Sequence, residues 1–460
     1  MKKIESKQAN TVLKYQDEQL RGIHFNPSQL DSCINETEIL LQSLGLAKEA
    51  QKAKKQAHNK NIEWHPKTNY TMPDWESLCN EANTNIIDSI ESITQLFKQE
   101  ELAENREFIN KLNDDYNNLH KLDTVDLTVC AIAGIISGAI DILLVGIPGP
   151  SATGVSGGPL SNHIRSYFEK IFDPEKMNQL GQKKFVKTSY DAQDNRNTII
   201  DVEGLSSYYH RALSFGHDPI LGFIVGIFDI MTGRMTTLDK NGKLVSQIME
   251  CYSNRKETNL FIALAKHIIH LVSDITTPMG LPAPFSILFN CCQFGSIGEE
   301  NNTIAEIAQG MYKEGYDFIQ FCSSSIPVML TEVIVRIGWA LKRHHEGHSL
   351  KECIPGSLNR NKNPKLATML FIAHSAATAI NAGKVAFAQN PMAINYPLWL
   401  TFAKYSLGEL KWNIYEKPNL RHKYVCSRCD SELNDILNEI NSDYEYYANN
   451  KKTTPDVILL

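Results

Sequence analysis

The chain has 460 residues, of which 42% are hydrophobic and 21% are charged, and its net charge is −6. This composition is ordinary for globular proteins and provides enough apolar residues for a large core. Charged residues are spread along the chain without a basic stripe that could follow a phosphate backbone, so nucleic acid is excluded as an expected partner. The length predicts two or three domains.

The N-terminus and the cysteines indicate a protein that faces the cytoplasm. Lysines follow the first methionine, but no apolar segment comes after them, so we predict no secretory signal. The ten cysteines are scattered along the chain, and in this setting they are expected to be reduced thiols. We therefore predict a location in the cytoplasm or at the cytoplasmic face of a membrane.

Residues 1–120 are predicted to form a polar N-terminal helical domain. They are rich in Glu, Lys, Asn and Gln. Residues 47–61 carry many charges and are expected to be either a solvated helix or a linker. Apolar residues recur at helical spacing, which predicts amphipathic helices, at Ile86, Ile87, Ile90, Ile93, Leu96 and Phe97.

Residues 121–160 are predicted to be one apolar helix followed by a Gly-rich loop. The stretch from Leu127 to Ile147 has 21 residues and a single charge, Asp141, so it is long enough to cross a bilayer. Gly134 and Gly138 are four residues apart, a spacing that lets a second helix approach closely. Two interpretations stay open, a membrane span or a helix buried in a soluble core. In both, the carboxylate of Asp141 needs a partner, a metal or water.

Residues 161–415 are predicted to be a helical core, and residues 416–460 a polar tail with a helix at 431–447. Most apolar segments of the core have about 10–18 residues, which suits buried or re-entrant helices. Residues 366–383 are the second candidate span. The mean hydropathy of −0.27 argues against a transporter with many spans. The predicted fold is all-α, a multi-helix bundle whose apolar central region is either membrane-inserted or buried.

Histidines and aspartates are concentrated between residues 210 and 274. His210, His217 and Asp218 come first, and His267, His270 and Asp274 follow on a predicted helix. On a wheel of about 100° per residue, the last three lie within about 60° of one another, opposite an apolar stripe. That stripe contains Phe261, Leu264, Ala265, Ile268, Leu271 and Val272.

Imidazole and carboxylate groups one turn apart on one helix face are typical ligands of a divalent metal. We predict zinc or manganese held by His210, His217, His270 and Asp274. Asp218 and His267 are predicted to act in catalysis, as general base or as a further ligand. Such a metal activates water and polarises a phosphoryl or acyl oxygen. The alternative is a polar helix face without a metal.

The pattern HxxxDxxTPxGLPxPF, from His270 to Phe285, resembles a motif of the YdjM-type inner-membrane-associated hydrolases, which are regarded as metal-dependent. The resemblance covers about 75 residues. His270, Asp274, Thr277, Pro278 and Gly280 match the motif, and His210 and Arg211 match the start of its upstream histidine element. This chain departs from the pattern because His217 follows His210 by seven residues instead of about five. The resemblance implies a membrane-associated metal-dependent hydrolase.

These observations leave two function classes open. The first is a membrane-associated metal-dependent hydrolase that acts on a phosphoester or lipid-like substrate. The second is a membrane-acting effector or channel-like protein with a cytoplasmic helical sensor domain, in which the segment 127–147 anchors or lines a homo-oligomer. Membrane lipid is the expected partner in both. A helical scaffold without chemistry is a third interpretation, which the density of histidine and aspartate disfavours.

Overall fold

The computed structural model describes residues 7–19, 39, 48, 74–86, 93–151, 154–296 and 301–449. Fourteen helices and two short antiparallel hairpins are present in this part of the chain, so the all-α prediction is confirmed. Two sequence predictions fall outside the described residues: the solvated helix or linker at 47–61, apart from residue 48, and the helical positions Ile87 and Ile90.

The described residues divide into two compact units. The smaller unit runs up to Asn118 and resumes at Asn419, and the larger unit extends from Leu119 to Pro418. These divisions lie close to the predicted boundaries at 120 and 416. The predicted segments 121–160 and 161–415 both belong to the larger unit.

The smaller unit is built from polar helices with a small core. Its helices are α1 (residues 7–19), α2 (Trp75–Asn85), most of α3 (Gln99–His120) and most of α14 (Lys417–Asn449), which contains the predicted helix at 431–447. Helix α2 begins at Asp74, whose side chain accepts a hydrogen bond from the backbone of Ser77. The core consists of Val12, Cys79 and Ala82, with Tyr15 and Leu78 packed against it.

Four helices of the larger unit pack into an apolar bundle. They are α4 (Thr124–Ile140), which a π-helical turn extends over Asp141–Val145, α11 (Phe318–His345), α12 (Leu366–Ala388) and α13 (Tyr396–Lys411). An added Cβ at Gly134 would lie 2.6 Å from Ala376 Cβ, and one at Gly138 would lie 2.6 Å from Ile380 Cγ2. From the first contact to the second, the position moves four residues forward in both helices, so α4 and α12 run parallel. The two glycines allow the close approach that their spacing predicts.

Three helical segments of the larger unit are long and apolar enough to cross a membrane. The first is the apolar part of the helical stretch that ends at Val145, the second is α11 and the third is α12. Their most apolar 18 residues have mean hydropathies of 2.3, 1.6 and 1.3, respectively. Helix α11 begins at Phe318, eight residues before the apolar run 326–340. In its first turns, the hydroxyls of Ser323 and Ser325 donate to the carbonyls of Ile319 and Phe321, one turn earlier.

The bundle contains paired polar groups in its interior. Asp141 is buried, and its carboxylate accepts hydrogen bonds from Asn381 at 2.8 Å and Asn395 at 2.7 Å and pairs with Lys384 Nζ at 3.1 Å. The carboxylate of Asp141 thus has the partners that the sequence requires, namely one ammonium group and two side-chain amides. Glu332 pairs with Arg336 at 2.7 Å, four residues along α11.

The remaining helices of the larger unit include the two that carry predicted metal ligands. In chain order, the remaining helices are α5 (Pro159–Ile171), α6 (Pro174–Gly181), α7 (His210–Leu213), α8 (Val225–Thr232), α9 (Leu260–Asp274) and α10 (Ile304–Lys313). The two with predicted ligands are α7 and α9. Strands Gly149–Ser151 (β1) and Gly154–Ser156 (β2) form one hairpin, and Arg234–Leu238 (β3) and Leu244–Ile248 (β4) form the other. A core that includes Tyr190, Ile230, Met235 and Ala263 joins α8, β3 and α9.

Candidate metal centre

Helix α9 turns its histidine face into the protein. Asn259 caps the helix by accepting hydrogen bonds from the backbone N–H groups of Phe261 and Ile262. His267, His270 and Asp274 are all buried, and His270 is only 3% exposed. The three residues therefore share an inward face, as their spacing predicts.

Three ligand atoms meet at the centre of this region. The Nε2 atoms of His217 and His270 are 3.2 Å apart, and each lies 3.7 Å from Asp274 Oδ2. Ligand atoms bound tetrahedrally at about 2.1 Å from a zinc ion lie roughly 3.4 Å from one another. The three side chains thus have the separation of a metal coordination shell.

A second group of ligand atoms shares His217. Asp191 Oδ1 lies 3.7 Å from His210 Nε2 and 3.8 Å from His217 Nε2. The two groups are Asp191, His210 and His217, and His217, His270 and Asp274, and either could hold a metal ion. Four of these five residues are the predicted metal ligands, and the structure brings them together.

Asp191 is the ligand candidate that sequence reasoning misses. It lies 19 positions before His210, in a segment without regular secondary structure between α6 and α7. No periodicity or motif marks it, so only its position in the fold relates it to the histidines. It is also the most accessible of the five side chains, with 18% exposure.

Outer partners of His210 and Asp274 leave one atom of each side chain free to bind. His210 Nδ1 is 3.0 Å from the carbonyl of Ser207, which assigns the proton to Nδ1 and leaves Nε2 as an acceptor. Arg211 pairs with Asp274 Oδ1 at 2.9 Å and also donates to Thr277 and to the carbonyl of Gly280. His210 Nε2 and Asp274 Oδ2 are buried without a hydrogen-bond partner, so the residues fit a bound cation.

The structure places His267 and Asp218 outside both ligand groups. His267 Nδ1 lies 2.9 Å from the Tyr190 hydroxyl, and its ring packs so closely on Gly222 that an added Cβ there would lie 2.8 Å from Cε1. Asp218 accepts backbone hydrogen bonds from Ile220, Leu221 and Phe285, which fixes two loops. Both side chains therefore have structural partners.

The surroundings favour the neutral form of His210, His217 and His267, and neutral imidazole is the form that binds a metal. Burial lowers the pKa of His217 to about 4 and that of His267 to about 3, and it also lowers the pKa of His210. Burial by itself would raise the pKa of Asp191, but the neighbouring histidines, His217 first, hold this pKa below its ordinary value. The neutral imidazoles of His210 and His217 thus lie beside the ionised carboxylate of Asp191.

A cysteine and a histidine also lie close together near the C-terminus. Cys426 Sγ lies 3.7 Å from His422 Nε2 on the exposed side of α14. Within the described residues, Cys429 does not complete a group of three ligands with them.

Comparison of the chain with models of known protein families, with curated proteins and with solved structures gives no match.

Proposed function

We propose that the protein is a membrane-associated metal-dependent hydrolase of a phosphoester or lipid-like substrate. The convergence of His217 Nε2, His270 Nε2 and Asp274 Oδ2 within 3.7 Å of one another is the observation that carries this proposal. A bound cation would also provide a partner for Asp274 Oδ2, which is buried without a hydrogen bond.

The donor set favours zinc or manganese. Three imidazoles and two carboxylates mix nitrogen and oxygen ligands, which both ions accept. Such an ion, when bound, lowers the pKa of a coordinated water and polarises a phosphoryl oxygen. In this proposal His210, His217, His270 and Asp274 hold the ion, and Asp191 completes the shell on the accessible side.

Four further residues prepare the site, and Arg211 and Tyr190 make the most contacts with the ligands. Arg211 fixes the orientation of Asp274 and links it to Thr277 and Gly280. Tyr190 packs edge-on against the rings of His217 and His270 and holds His267 by its hydroxyl. We therefore assign positioning roles to His267 and to Asp218, whose carboxylate accepts hydrogen bonds from two loops.

The resemblance to YdjM-type hydrolases supports the same chemistry. Arg211, from the upstream element, contacts Thr277 and Gly280, from the downstream motif. The two parts of the similar pattern are therefore in contact across 66 and 69 positions of the chain. Three helices of membrane-spanning length in the same unit support a membrane location.

One observation favours the second function class, a membrane-acting effector or channel-like homo-oligomer with a cytoplasmic sensor. His374 is fully buried in the bundle, and neither ring nitrogen has a hydrogen-bond partner, although Nε2 lies 3.5 Å from Glu332 Oε1. Ionisable side chains inside membrane bundles mark ion or proton pathways. Proton flux into vesicles that contain the protein, compared with His374→Ala, would measure this activity, and equal flux would exclude it.

Elemental analysis of the purified protein tests the hydrolase proposal. Wild type is expected to retain close to one or two equivalents of zinc or manganese, whereas His270→Ala combined with Asp274→Ala retains almost none. His345→Ala, which changes an exposed histidine at the end of α11, is the matched control and should keep the metal. Equal, near-zero metal in all three proteins would refute the proposal.

A further inference from the structure

Helix α9 is amphipathic in the reverse sense of a soluble helix. Its histidine and aspartate face is buried, whereas the N-terminal part of the predicted apolar stripe points outward. Leu271 and Val272, at the other end of the stripe, pack in the core. Phe261 is 79% exposed, and Ala265 and Ile268 are also exposed. Surface helices of soluble proteins normally bury such a stripe and expose the polar face.

The neighbouring helix extends this apolar surface. Helix α8 runs antiparallel to α9, because Glu257 N–H donates to Ile230 O at one end and Gly226 contacts His267 nearer the other. Ile224, at the start of α8, is 76% exposed. We call the combined surface the α8–α9 face. It consists of Ile220, Phe223, Ile224, Phe228, Leu260, Phe261, Ile262 and Ile268, all of which are exposed.

The α8–α9 face carries no exposed charge. The charged residues of 219–232 and 260–274 are Asp229, Lys266 and Asp274, and all three are buried. Apolar patches of this size normally mark a contact with a membrane or a partner. Exposed Lys256 lies at one edge of the face, beside Gly233, where its ammonium group suits a lipid phosphate.

The length of the two helices limits how far they enter a membrane. Helix α9 has 15 residues, which at 1.5 Å each gives roughly 22 Å, and α8 is shorter still. The hydrocarbon core of a bilayer is about 30 Å thick. These helices therefore suit a position in one leaflet, beside the three segments of spanning length in the same unit.

We infer that the α8–α9 face is embedded in one leaflet of the membrane, and that the metal centre behind it acts on the phosphoester of a membrane lipid. The substrate part of this inference rests on the proposed hydrolase function. The ring of Phe223, on the face, lies 5.1 Å from that of His267, and the same helix α9 carries His270 and Asp274 inward. The thickness of one helix, about 10 Å, thus separates lipid from the ligand cluster.

Fluorescence quenching tests the location of the face without using metal or activity. Phe261→Trp is placed in phosphatidylcholine vesicles brominated in the middle of the acyl chains. The emission that the new tryptophan adds to wild type is expected to fall about twofold or more and to resist acrylamide, as for an apolar face buried at the acyl boundary. Leu244→Trp, at an exposed apolar position on β4, is the control and should respond to acrylamide.

Two outcomes would overturn the inference. Quenching by acrylamide and not by brominated lipid would place the face in water. Protection from both quenchers would show that protein covers it, such as a second copy of this chain. The combined variant His270→Ala and Asp274→Ala should give the same quenching as its parent, so a failure of the hydrolase proposal does not affect this measurement.

The substrate is tested by comparing lipid with a soluble phosphoester. Phe261→Lys is expected to lower hydrolysis of phosphatidylglycerol in vesicles about tenfold, since a charge in the apolar layer is costly, while hydrolysis of bis(p-nitrophenyl) phosphate stays unchanged. Equal loss on both substrates would refute a lipid substrate. If metal-loaded wild type hydrolyses neither substrate, the hydrolase proposal is refuted. The quenching result would still decide the location of the face.

Discussion

His217→Ala is the most informative change at the metal centre, because His217 Nε2 belongs to both ligand groups. Losing an outer-sphere partner of a metal ligand typically costs 10–100-fold in affinity, so losing this shared ligand is expected to cost at least about 100-fold. The variant should therefore bind zinc or manganese too weakly to be stabilised by concentrations that saturate wild type.

The magnitude follows from linkage. A metal that binds only the folded protein, at 100 times its Kd, adds about 2.7 kcal/mol to the free energy of unfolding. With affinity reduced about 100-fold, the same concentration equals the Kd of the variant and adds about 0.4 kcal/mol. The predicted difference in the metal-dependent gain is thus about 2.3 kcal/mol, which is well within the precision of chemical denaturation.

The assay is chemical unfolding in mild detergent, with the protein first treated with a chelator and then supplied with zinc or manganese. His267→Ala is the matched control, because it removes another fully buried imidazole, on α9, that belongs to neither ligand group. It should lose stability without metal yet keep the full metal-dependent gain. A gain in His217→Ala equal to that of wild type would refute the coordination scheme, and so would a wild type that metal does not stabilise.

Three further outcomes are expected. Without metal, the free energy of unfolding falls as the pH drops from 6.5 towards 4. The pKa of His217 is about 4 in the folded protein and near 6.5 in the unfolded chain, so the unfolded state binds the proton first. Denaturation at pH 7 and pH 5 measures this loss, and His217→Gln should make it smaller. Asp141→Ala leaves Lys384 buried without its carboxylate, which should lower the free energy of unfolding by about 3–5 kcal/mol, and adding Lys384→Met should restore part of the loss. Gly134→Leu should destabilise the bundle by about 1–3 kcal/mol or more in thermal unfolding, because its first added carbon would lie 2.6 Å from Ala376 Cβ, whereas Gly383→Leu, with open space around it, should have little effect.

Sequence reasoning identifies four of the five ligand candidates for a physical reason. The helical repeat fixes that His270 and Asp274, four residues apart, share one face of α9. The same repeat places His267 nearby, but about one turn before His270, where it meets Tyr190 instead of the ligand cluster. Asp218 is adjacent to His217, and its carboxylate turns to backbone N–H groups. Asp191 has no regular structure around it, so no periodic pattern could point to it.

The sequence by itself determined the all-α class, the apolar segments around 127–147 and 366–383, and the division of α9 into a polar face and an apolar face. Hydrophobic periodicity is a local property, and it sets these features before any tertiary contact forms. The periodicity does not determine which face of a helix is buried. In α9 that choice depends on Tyr190, His217 and Arg211, which come from distant segments and supply partners for the polar face.

The same limit applies to the polar groups of the bundle. The sequence shows that Asp141 needs a partner, but Asn381, Lys384 and Asn395 lie more than 200 positions away. Only the packing of α4 against α12 and the start of α13 brings them to the carboxylate. Long-range pairing of this kind depends on how the helices pack, which the pattern of any one segment does not specify.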